Sequence, residues 1–76
     1  MFQASAQGAE CFEQAAAVLR ETVPDSPMIA ECLVKAGLCY QRTGRQEAAQ
    51  LRFREAAGIQ TMSLTAEKIL IEQGIL

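Results

Sequence analysis

The chain has 76 residues, half of them apolar, and a net charge of −2. A chain this short buries only about 60% of its unfolded surface, so it is one small domain, or a piece of a larger one, near the margin of independent stability. The apolar content excludes a disordered tail, the longest apolar run (36–40) is far too short for a membrane span, and the opening Met-Phe-Gln-Ala-Ser-Ala-Gln-Gly lacks the basic start and apolar run of a signal peptide.

Four helical segments are predicted, with short loops and no strand-like alternation, so the fold class is all-α. The first spans 7–22, where Phe12, Ala15, Ala16 and Leu19 recur at i, i+3, i+4 and i+7 and form one face. Pro24 stops it, because proline lacks the N–H and disfavours helical geometry in the residue before it. Asp25-Ser26-Pro27 starts the second helix, with Ser26 as the cap and Pro27 in the first helical position. This helix runs to Arg42 and is apolar nearly all round. Only Glu31 and Lys35 interrupt it, four apart in the favourable order for an ion pair. Such a helix is central and touches neighbours on at least two faces.

Thr43-Gly44 closes the second helix, glycine supplying the left-handed turn. The third spans 45–58, with Ala49, Phe53, Ala56 and Ala57 as its inner stripe and Leu51 pointing to a second contact. Ser63 caps the fourth, predicted over 63–73. Its inner face is Ala66, Ile69, Leu70 and Gln73, and Gly74 ends it. Leu64, Ile71, Ile75 and Leu76 leave apolar surface on its other sides.

Charge is distributed unevenly. Residues 35–54 hold Lys35, Arg42, Arg45, Arg52 and Arg54 against Glu47 alone, whereas the rest of the chain holds Arg20 and Lys68 against eight acids. A basic middle between acidic flanks suits an acidic peptide, or the acidic pole of a second copy. Cys11, Cys32 and Cys39 make an odd count without a CxxC pair, and there is no histidine. No zinc set can be drawn from them. They are expected to be free, buried thiols of a reducing cytosol. Without histidine no nucleophile–base pair can be proposed, and phosphate-binding glycine loops are missing. The reading is therefore of a chain that is not an enzyme and needs no cofactor.

An internal echo, Phe12-Glu-Gln-Ala-Ala16 against Phe53-Arg-Glu-Ala-Ala57, points to a repeat with a spacing of 41. The stretch between the two is more telling. Leu33, Gly37, Tyr40, Gly44, Ala49, Phe53 and Ala56 place small and aromatic residues at helical spacing on either side of a turn glycine. Gly37 and Ala49 let two antiparallel helices approach, and Tyr40 and Phe53 fill the space beside them. This pattern resembles the tetratricopeptide repeat, over roughly residues 8–58. The hairpin 28–58 matches one unit, and 7–22 resembles the second helix of a preceding one, with Gly8 as its small residue. The last segment, 63–73, resembles a capping helix. The family often has proline where Thr61 stands, and the 41-residue spacing is closer to longer-helix relatives such as the SNARE-disassembly adaptors.

The resemblance implies an α-solenoid fragment that binds a partner protein or peptide. Ligands of the family usually lie against the first helix of a hairpin, which implies a site at Glu31, Val34, Leu38, Gln41 and Arg42, beside Lys35, with these side chains exposed. The family's carboxylate-clamping members use asparagines, and this chain has none. Repeat arrays need about three units to bury their stacking faces. The chain is thus expected to be a terminal piece of a longer scaffold, with Phe2 and the first helix parted from neighbours, or a self-associating homo-oligomer, most simply a two-fold dimer meeting through its first or fourth helix. A nucleic-acid or phospholipid binder using the basic middle is the reading from another class. Nucleic acid is disfavoured because the nearby aromatics, Tyr40 and Phe53, belong to the core.

Overall fold

A computed structural model describes residues 6–76; Phe2 lies outside them. The described chain is four α-helices, α1 (Ala6–Thr22), α2 (Met28–Arg42), α3 (Gln46–Ala57) and α4 (Leu64–Glu72). Local chemistry sets their ends. The Ser26 hydroxyl accepts from the Met28 N–H at 3.1 Å, and Pro27 already has helical dihedrals (φ −68°, ψ −12°), so the serine caps and the proline opens α2 as expected. Ser63 caps α4 by accepting from the Ala66 N–H at 3.2 Å. Gly44 and Gly74 adopt φ of +80° and +77°. Each closes its helix with the paired bonds of a Schellman turn: Arg45 N–H to Tyr40 C=O and Gly44 N–H to Gln41 C=O, then Ile75 N–H to Leu70 C=O and Gly74 N–H to Ile71 C=O.

The helices form two layers. α2 packs against α1 on one side and α3 on the other, and also touches α4, which in turn rests on α3. The main core joins Ala16 of α1, Ile29, Ala30, Cys32, Leu33 and Val34 of α2, Ala49, Phe53 and Ala56 of α3, and Ala66 and Leu70 of α4. A smaller cluster, Ala9, Ala36 and Cys39 with Phe12 and Tyr40, completes the α1–α2 contact. Phe53 is fully buried. The backbones of α1 and α3 stay apart, and charged side chains bridge them. Arg52 Nε lies 2.8 Å from Glu13 Oε2, as a charge contact without a hydrogen bond. Arg20 reaches Glu55 at 2.8 Å, and Arg52 also pairs with Glu55.

Three expectations need correction. Ala15 is exposed, because the buried face of α1 is centred on Ala9 and Ala16, which leaves Ala15 on the flank. Cys11 is exposed as well, while Cys32 and Cys39 are buried; only helices with neighbours on several sides hide their thiols. Leu51 remains 59% exposed, so α3 meets its second neighbour, α4, without it.

Candidate protein-binding surface

The implied site falls on α2, and α4 decides how much of it is open. The Ser63 hydroxyl donates to Glu31 Oε1 at 2.8 Å, and the Gln41 side-chain amide donates to Gln73 Oε1 at 2.7 Å. Ser63 and Gln73 stand at the two ends of α4, and each lies 32 positions after its partner on α2. α4 therefore runs parallel to α2 and lies along the stripe Glu31, Val34, Leu38, Gln41. Val34 is fully buried and cannot touch a ligand, contrary to its expected exposure. Leu38 is half-buried against the main core. Glu31 and Gln41 are half-buried and engaged.

Glu31 is the most connected of these groups. The Ser63 hydrogen bond, then its bond to Lys35, hold its carboxyl below the usual range against an opposing push from burial. Lys35 Nζ lies 3.1 Å from Glu31 Oε2, the i,i+4 pair expected from the sequence. The Lys35 side chain is still 41% exposed, and Arg42 is exposed.

What remains open is a narrower stripe. Met28, Lys35 and Arg42 stand seven residues apart on α2 and so share one line along it. Met28 is 44% exposed. Sequence reasoning missed Met28, although its place seven before Lys35 was a usable signal. It also missed Gln73 and Ser63 as the groups that occupy Gln41 and Glu31.

A Cβ placed on Gly37 would lie 2.6 Å from Phe53 Cε1, so this glycine is what admits the ring. Leu33, Ala49 and Ala56 are buried around it. Tyr40 instead turns toward α1, where its hydroxyl donates to Glu13 Oε2 at 3.0 Å. Burial, and then that bond, raise its phenol above the ordinary value.

A family model for the tetratricopeptide repeat matches residues 5–61. The chain belongs to the tetratricopeptide repeat family. No curated protein and no solved structure matches the chain significantly. Tetratricopeptide repeats generally mediate protein–protein interaction, and this chain is accordingly a protein-interaction module in class. Among the described residues no helix is long and apolar enough to cross a membrane.

Proposed function

We propose that this tetratricopeptide repeat chain binds a partner protein along the open stripe of α2, through Met28, Lys35 and Arg42, with Leu38 at its edge. The observation that carries this reading is that three helices surround α2 and leave it one line of side chains facing solvent. That line offers one apolar contact, one partly neutralised base and one free base. It suits a segment that sets a carboxylate near Arg42 and an apolar side chain near Met28 and Leu38. Glu31 and Gln41 act by holding α4 in place, and Val34 acts within the core. The free thiols support a cytosolic setting.

Nucleic acid or phospholipid as the ligand of the basic middle has less support. Lys35 and Arg52 of that segment are paired with Glu31, Glu13 and Glu55, and no aromatic ring is exposed among the described residues.

Selection from a random peptide library on the immobilised chain tests the reading. The expected peptides are acidic with an apolar anchor, and they should lose binding to the doubly changed Lys35→Glu/Arg42→Glu chain. Peptides that bind this chain as well as the original would refute it, as would salt-sensitive binding of single-stranded nucleic acid that outcompetes them.

A further inference from the structure

The outer face of α3 serves neither the core nor the open stripe of α2. Its exposed side chains are Gln46, Glu47, Leu51 and Arg54. Leu51, at 59%, is the one large apolar side chain of α3 that reaches solvent. A shallow groove of about 450 Å³ lies beside it, lined by Gln46, Glu47, Gln50, Leu51 and Arg54. A second depression, lined by Gly44, Arg45, Gln46, Glu47 and Ala48, carries the groove past the start of the helix. The charges on the other side of α3, Arg52 and Glu55, are engaged with α1. Glu47 and Arg54 make no ion pair among the described residues.

We infer that this face pairs with the same face of a second copy, the two α3 helices lying antiparallel about a two-fold axis at Leu51. Helix geometry selects this occupant. At about 100° per residue, Glu47 and Arg54 fall on the same flank of Leu51, roughly 40° and 60° from it. Glu47 comes about one turn before the leucine and Arg54 about one turn after it. A two-fold axis perpendicular to the helix reverses its direction and keeps each flank on its own side. Glu47 of either copy therefore meets Arg54 of the other, and Leu51 meets its own counterpart. These are the only exposed charges of α3, so each is matched and like charges stay apart. A parallel pair would instead leave them about 10 Å apart along the axis. Gly44 and Gly58 stand seven residues before and after Leu51. The same axis sets one opposite the other, so no side chain props the ends of the contact apart.

The helices expected from the sequence to pair, α1 and α4, lack this match. The exposed acids on α1 are Glu10 and Glu21, and its one base, Arg20, is tied to Glu55, so two α1 faces would oppose acid to acid. α4 exposes Glu67 and Glu72 against Lys68, which leaves one acid unmatched in each copy. The α3 contact is isologous: one patch serves both copies, and assembly stops at a dimer. It covers a single leucine per copy, which places it among small, transient interfaces, and its ion pairs lie open to screening by salt.

Sedimentation equilibrium of the full chain at low salt, up to about 1 mM protein as a weak contact requires, tests this. The unaltered chain should approach a dimer mass, exceed it at no concentration, and dissociate as salt is raised. Leu51→Glu should stay monomeric. Glu47→Arg and Arg54→Glu should each weaken the dimer at least about tenfold, as like charges then meet. The double variant Glu47→Arg/Arg54→Glu should pair about as well as the parent, because the match is restored with its signs exchanged. These positions are exposed, and circular dichroism checks that each variant is folded. Should the charge changes cost helicity, Leu51→Cys in a Cys11→Ser background replaces them. A mild oxidant should then link two copies through residue 51 much faster than it links copies carrying Leu64→Cys in the same background. A parent chain that is monomeric throughout overturns the inference. So does a double variant no better than the single ones, or a dimer that survives Leu51→Glu and dissociates with Ile71→Glu, the signature of pairing through α4. All these variants keep Met28, Lys35 and Arg42, so the peptide-binding reading stands or falls separately.

Discussion

The ring of Phe53 occupies the volume that a side chain at residue 37 would need: a Cβ there would lie 2.6 Å from Cε1 and 2.9 Å from Cδ1 and Cζ. Gly37 sits in the middle of α2, where glycine costs helix stability of up to about 1 kcal/mol against alanine. Packing reverses that preference, because the fully buried ring has nowhere to move.

Gly37→Ala should therefore destabilise the chain in spite of its better helix propensity. Overpacking costs about 1–3 kcal/mol, and Gly37→Leu should cost more than Gly37→Ala. Phe53→Ala, which empties the same site, should cost about 3–5 kcal/mol and leave little folded protein. Combining Gly37→Ala with Phe53→Leu should cost less than the sum of the two single changes, as expected for residues in contact. Thermal melts followed by circular dichroism check all four, and strict additivity in the double variant would show that the glycine serves some other contact.

Tyr40 joins α2 to α1 through Glu13. Tyr40→Phe should lose about 1 kcal/mol, the net worth of one hydrogen bond. The phenol holds its proton to higher pH in the folded chain than in the unfolded one, because burial and Glu13 disfavour the phenolate. Its contribution is then complete below the unfolded value of about 10 and is lost as pH rises through the folded one. Stability measured against alkaline pH should fall more steeply for the parent chain than for Tyr40→Phe; equal slopes would rule out this linkage.

Ser63 serves two helices at once, capping α4 and donating to Glu31 of α2. Ser63→Ala should cost about 0.5–2 kcal/mol as a lost cap, with amide exchange quickening first in α4. The carboxyl of Glu31 is held below its ordinary value, chiefly by this serine. The stability it contributes is present above the unfolded value of 4.5 and lost as pH falls through the lower folded one. Ser63→Ala should flatten that acid-side loss. An unchanged acid limb would mean that Lys35 alone sets the carboxyl.

The three thiols should separate by rate. Cys11 is exposed, while Cys32 and Cys39 are buried, and burial raises the Cys32 thiol further from its reactive form. A thiol reagent should modify one equivalent quickly in the native chain and all three in denaturant. Rapid loss of all three in the native chain would contradict the central place of α2.

Where the helices start and stop is legible in short local motifs. Ser26-Pro27, Thr43-Gly44, Ser63 and Gly74 act through bonds to residues a few positions away, and such local chemistry reads directly from the chain. The small–aromatic pattern of Gly37, Ala49 and Phe53 likewise announced a close hairpin, because residues four apart on a helix must share a face. Which side of the nearly uniform α2 stays open depends on packing against distant segments. Val34 was expected to be exposed and is buried, and Glu31 and Gln41 are occupied, because α4 arrives from 32 residues away and lies along them. Cys11 and Ala15 were expected inside and lie outside, because the described chain brings no helix to that flank of α1. Apolar periodicity marks a face that can be buried, and the neighbour that buries it is set by packing between distant segments.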